Sequence, residues 1–195
     1  GIGTAGAGST GTIQLGYTAE QWGIAAIYSR IQNGNDLIVY GTNFALDSFS
    51  QPGDTSAFGL SGYWQPAQSG WIPSISAGWG INVSNDIGGT KFDNTDISLT
   101  TQSWMVGLNW KDAFAKGNVL GMAVGQAPFV TNNTDDVNTY DGNYAWEWWY
   151  KFQVTDNISV TPALYYLSQT AGQLGKVNDS SVNNFGGLIK TTFKF

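Results

Sequence analysis

The chain has 195 residues and a formal net charge of −6; 11% of its residues are charged and 14% are aromatic. Soluble domains carry about 25% charged residues. A mean hydropathy of −0.16, with no apolar run near the roughly 18–20 residues of a membrane helix, excludes a helical membrane protein. Without Cys or His the chain has no disulfides, no thiol or imidazole catalysis and none of the usual zinc, copper or haem ligands; its negative charge argues against a nucleic-acid partner.

The start, Gly1–Gly11, is glycine-rich, and Gly1-Ile2-Gly3-Thr4-Ala5-Gly6 spells the dinucleotide-binding fingerprint. That fingerprint works only between a strand and a helix. No strand precedes it, so no cofactor is expected. Nine segments then read as strands from their period of two. The first lies near Thr12–Thr18, with Ile13, Leu15 and Tyr17 on one face. The second, near Trp22–Arg30, aligns Trp22, Ile24, Ala26 and Tyr28. The third, near Ser56–Trp64, aligns Phe58, Leu60 and Trp64. In the fourth, Ile75, Ala77, Trp79, Ile81 and Val83 alternate with Ser, Gly and Asn. The fifth sets Trp104, Val106, Leu108 and Trp110 against Ser103, Met105, Gly107 and Asn109. The sixth, near Asn118–Gln126, is glycine-rich and less regular.

The seventh is the strongest: Tyr144, Trp146, Trp148, Tyr150, Phe152 and Val154 share a face opposite Ala145, Glu147, Trp149, Lys151 and Gln153. The eighth, near Ile158–Ser168, contains Pro162, for which a bulge is expected because proline has no ladder donor. The ninth closes the chain, with Phe185, Ile189, Phe193 and Phe195 on one face and Lys190 and Lys194 on the other.

Connections after the odd-numbered strands are short and those after the even-numbered ones are long and rich in Asn, Asp, Gly and Thr. Bacterial outer-membrane barrels alternate short periplasmic turns with long outer loops in this way, and have an even strand number. The pattern therefore predicts an all-β fold, a transmembrane antiparallel β-barrel. The odd count makes residues 1–195 the expected C-terminal part of a larger barrel domain.

Three stretches carry a more specific likeness: Ser103–Asn118, Tyr144–Tyr166 and the ending at Phe195. Together they resemble the cyanobacterial outer-membrane porins related to the OprB carbohydrate-selective family, often labelled iron-uptake porins. The resemblance implies a porin of about 16 strands that passes small hydrophilic solutes and inorganic ions, with no cofactor and no catalysis. It also implies a homotrimer in outer-membrane lipid and an N-terminal domain that grips peptidoglycan. Phe193 and Phe195 would then be the signal read by the barrel-assembly machinery.

On this reading Glu147, Lys151, Gln153, Lys190 and Lys194 line the pore, and Glu147 is expected to pair with Lys151. Trp22, Trp64, Trp71 and Trp110 lie near the short turns, as an interfacial aromatic girdle would. Ten acids, among them Asp36, Asp47, Asp54, Asp86, Asp93, Asp96, Asp135, Asp136 and Asp141, fall in or beside the outer loops. Such a mouth concentrates cations over a Debye length of about 8–10 Å. Asp135, Asp136 and Asp141 lack the EF-hand spacing, so a solvated acidic loop is expected there rather than a calcium site. Tyr63, Trp149 and Tyr165 fall on the predicted inner face, where aromatics either fill space or stack sugars. The competing reading is a soluble carbohydrate-binding β-sandwich. It accounts for the Trp, Asn and Gly content but not for the terminal strand or the loop alternation.

Overall fold

The computed structural model describes residues 8–34, 41–48, 53–68, 70–85, 98–134, 141–172 and 182–194. They form a nine-stranded antiparallel sheet in which each strand pairs with the next in chain order. The strands are β1 (Ser9–Thr18), β2 (Trp22–Gly34), β3 (Gly53–Trp64), β4 (Ser74–Asn85), β5 (Leu99–Lys111), β6 (Val119–Asn133), β7 (Tyr144–Thr155), β8 (Ile158–Ser168) and β9 (Asn184–Phe193). A six-residue helix, α1 (Asn43–Ser48), lies between β2 and β3. The meander forms one continuous sheet rather than two packed sheets, so it is not a sandwich. β1 and β9 do not pair with each other among the described residues, and the sheet is open.

Alternation within the strands becomes two faces because the register keeps phase from strand to strand. One row crosses the whole sheet as Tyr17, Ile24, Gly62, Ala77, Val106, Val124, Trp146, Tyr166 and Phe185. The adjacent row is Thr18, Gly23, Tyr63, Ser76, Gly107, Ala123, Glu147, Tyr165 and Gly186. The first face is apolar and the second is small and polar. The apolar face is largely exposed, with Leu15 at 71%, Ile24 at 58% and Ile189 at 76%. Soluble monomers rarely leave a patch of that extent bare, since their apolar patches seldom exceed a few hundred Å². A strand of 12 residues, the length of β3, β4 and β7, spans about 40 Å, and at a tilt of about 40° it rises about 30 Å, the thickness of the hydrocarbon core.

Two prolines show how the ladder absorbs a missing donor. No bulge forms at Pro162. The β7–β8 ladder passes from Trp149–Ala163 to Phe152–Val160 with its register unchanged, and the shift comes later, between Gln153 and Thr155. Pro162 keeps Ile189 as its partner on the other side. The loss of one N–H removes a bond without adding a residue, so the pairing resumes in phase. Pro128 behaves differently. The sixth strand was expected to end at Gln126, but β6 runs on to Asn133 through register shifts opposite Thr100/Thr101 and Gln102/Trp104. The shifts place the extra residues of β6 around Pro128, where a bulge tolerates proline.

Candidate functional site

The extension of β6 creates a need that shapes the site. β6 pairs with β7 only from Val119 to Gly125, so its later residues have a ladder partner on the β5 side alone. The segment carrying α1 meets that need. Thr42 N donates to Pro128 O at 3.0 Å, and Asn43 N donates to Thr170 O, just past β8, at 3.4 Å. Asp141 supplies the rest: Oδ2 accepts from Val130 N at 2.7 Å and from Thr42 Oγ1 at 2.6 Å. Thr42 also caps α1, its Oγ1 accepting from Ala45 N at 3.1 Å. Gly172 adopts φ +58°, and a Cβ there would meet the Asp141 carboxylate and Thr42 Cβ. Only glycine combines that backbone with that approach.

This segment leaves β2 and returns to β3, yet it docks on β6 and the end of β8. At about 4.8 Å per strand it reaches roughly 15–25 Å across the sheet. It crosses on the small-residue side: the strand residues buried at this end, Thr55, Ser84, Leu99, Thr101 and Val130, all belong to that face. Thr42, Ala45 and Thr101 are wholly buried, each at 0% exposure, and Leu99 and Val130 are at 1%. Thr55 and Ser84 hydroxyls bond each other beneath. The core of the described protein is therefore the contact between an inturned loop and the wall it crosses. Burying Leu99 and Val130 contributes about 1.5–3 kcal/mol each.

Away from the crossing segment the same face is open and differently built. Three aromatic rings rest over glycines of the neighbouring strand: Tyr63 over Gly23, Trp149 over Gly121 and Tyr165 over Gly186. Each ring occupies the place a Cβ on that glycine would take, so its neighbour must be glycine for the ring to lie against the wall.

Glu147 and Lys151 lie on this inner face of β7, and Lys190 lies on the same face of β9. The expected Glu147–Lys151 pair does not form; the ion pair among the described residues is Arg30–Asp54 at 2.9 Å. Four positions along a strand are about 13 Å apart, with Trp149 between them. Gln153 is bound to the β7–β8 turn, donating through Nε2 to Thr155 O at 2.6 Å. Lys194 N continues the pairing by donating to Asn157 O at 2.9 Å.

Trp22 and Trp64 are register partners at the short-turn end, and Trp110 Nε1 donates to Trp71 O at 3.0 Å. Asp141 is not the solvated loop acid it was expected to be: it is partly buried and holds the crossing segment in place. Asp54 is engaged by Arg30 and by Asn33 N. Phe193 ends β9 on the apolar face. Asp36, Asp86, Asp93, Asp96, Asp135 and Asp136, the side chain of Asp47, the Gly1–Gly6 fingerprint and Phe195 lie outside the described residues.

An apolar belt outside, a small polar face inside and a loop folded across that face define the wall of a transmembrane β-barrel of the porin class. The model of the carbohydrate-selective porin, OprB family, matches residues 14–195, and the chain belongs to that family. It is 29% identical over 200 residues to an uncharacterized Synechocystis protein, covering 93% of this chain and 35% of that one. It is 27% identical over 164 residues to an uncharacterized Nostoc protein, covering 84% of this chain and 26% of that one. The chain thus spans about a third and a quarter of the length of these relatives. No solved structure matches it.

Proposed function

We propose that this chain contributes wall and constriction to a water-filled outer-membrane porin, a channel rather than an enzyme, through which small hydrophilic solutes and inorganic ions diffuse passively. The observation that carries the reading is the α1 segment docked across the small-residue face while the opposite face stays apolar and exposed. On this reading the strands cross a cyanobacterial outer membrane repeatedly. Trp22, Trp64, Trp71 and Trp110 sit at the periplasmic interface. Glu147, Lys151, Gln153, Lys190 and Lys194 face or border the water path. Phe193 and Phe195 address the chain to the assembly machinery. The whole protein would act as a homotrimer tied to peptidoglycan through an N-terminal domain.

Asp36, Asp86, Asp93, Asp135 and Asp136 would give the outer mouth a weak cation preference. Asp54 and Asp141 contribute less to that field, because cationic or hydrogen-bonding partners hold them. The test is single-channel recording of the full-length protein in planar bilayers. Stepwise ohmic currents are expected, with a reversal potential favouring cations in a salt gradient. A protein that inserts but never conducts would rule the reading out.

A further inference from the structure

We propose that the turn between β5 and β6, Asp112 to Gly117, is a phospholipid site at the rim of the wall. It would hold a lipid phosphate against its backbone and Lys116, and an acyl chain against Phe114. The inference rests on the porin reading, which puts the short turns at the periplasmic edge of the membrane, and adds to it a site and a ligand chemistry.

The turn is built in a way that joining two strands does not require. Asp112 and Phe114 adopt left-handed backbone, φ +58° and +63°, although neither is glycine, and Gly117 follows at φ +86°. A bulky residue is strained there, and such strain persists only where the surroundings over-determine it. Here they do. Asp112 Oδ1 accepts from Gly117 N at 2.7 Å. Tyr150 Oη donates to Ala113 O at 2.7 Å and accepts from Asn118 Nδ2 at 2.9 Å. Tyr150 belongs to the apolar face, so its hydroxyl ties the turn to that side of the sheet. The product of this bracing is a phenyl ring left 91% exposed. The Phe114 ring lies 5.9 Å from that of Tyr150, which packs on Phe152 at 4.4 Å. The three rings carry the apolar belt past the end of the strands. Folding alone gives no reason to strain a backbone in order to hold a phenyl ring in the open.

Phosphate recognition comes from the backbone. Residues whose φ alternates in sign turn successive N–H groups to one side and make a cup for an anion. Asp112, Ala113 and Phe114 alternate in this way, the outer two being left-handed and Ala113 not. The N–H groups of Phe114, Ala115 and Lys116 have no acceptor among the described residues. Lys116 is exposed and makes no ion pair among them. Backbone donors and a cation therefore stand beside an apolar ring, in a chain of net charge −6. A phosphodiester joined to acyl chains matches both parts. Free phosphate would leave Phe114 bare, and a lipid without phosphate would leave the donors unmet.

The experiment is a titration of phosphatidylglycerol onto the detergent-purified full-length protein, followed by native mass spectrometry. The wild type is expected to take up one lipid per chain more tightly than the rest. Phe114→Gly gives the left-handed backbone to a residue that adopts it without strain. Thermal stability should therefore hold, while the dissociation constant rises about tenfold for the loss of one buried ring. Lys116→Gln should raise it about fivefold through one lost charge at the headgroup. It breaks no contact among the described residues, so it serves if the Phe114 variant fails to assemble. Dioleoylglycerol, which has the tails without the phosphate, should compete poorly, and millimolar inorganic phosphate should not displace the lipid. Equal lipid binding in the wild type and both variants, or equal competition by dioleoylglycerol, would overturn the site. Displacement by inorganic phosphate would overturn the lipid as its occupant. Any of these results in a protein whose channels conduct leaves the porin reading standing; a protein that inserts but never conducts overturns that reading instead.

Discussion

The two ends of the inner face are made by the same strands and the same alternation, yet they are physically opposite. At the long-loop end Thr55, Ser84, Leu99, Thr101 and Val130 are buried. At the turn end Tyr63 is 42% exposed, and Ser76 and Asn109 are exposed as well. Residue type does not explain the difference, since serine lies at both ends, Ser84 buried and Ser76 exposed. One crossing segment does, and it is held by few bonds. Pro128 O and Val130 N, on the stretch of β6 beyond its pairing with β7, and one carboxylate decide which end is closed. On the porin reading, this arrangement would concentrate the narrowing in one place and leave the rest of the wall accessible to solute.

Asp141→Ala should blur this contrast most. It removes both the acceptor of Val130 N and that of the wholly buried Thr42 hydroxyl. Unmade bonds to two buried groups cost about 4 kcal/mol together, at 1–3 kcal/mol each. The α1 segment should leave the wall, seen as a larger single-channel conductance and faster proteolysis within residues 35–52. Unchanged conductance would show that the segment does not narrow the path.

Gly172→Ala tests the same latch from the other side. An L-residue at φ +58° is strained, and its Cβ would displace Asp141 and Thr42. About 2–3 kcal/mol should be lost, read as earlier thermal unfolding in detergent together with a conductance shift in the direction of Asp141→Ala. The smallest effect is expected for Arg30→Ala. Its pair with Asp54 sits at the rim with the side chains 47% and 32% exposed, so stability should change by less than about 1 kcal/mol. Removing the cation frees Asp54, and the reversal potential should move slightly towards cations.

Strand number, order and facing were legible in the sequence because each depends on local alternation. β7 and the terminal strand show period two so clearly that one face follows directly. Where local signals mislead, the reason is visible. The sixth strand read as ending near Gln126 because its alternation is irregular, but bulges carry it on to Asn133. Glu147 and Lys151 suggested an ion pair because they share a face, whereas distance along an extended chain forbids it. Asp141 suggested a solvated acid, because nothing nearby in the sequence announces Thr42, which lies 99 positions away.

The sequence by itself determined that this is an antiparallel sheet with an apolar face and a small-residue face. Alternation and turn chemistry are short-range properties, and in a meander every ladder joins neighbours in the chain. The tertiary structure alone decided which part of the small-residue face is covered. That choice depends on contacts between segments far apart in the chain: Thr42 with Pro128, Asp141 and Gly172, and Asn43 with Thr170. The polar groups that make those contacts have no periodicity to reveal them, and their pairing exists only once the sheet has curled enough for its loop to cross.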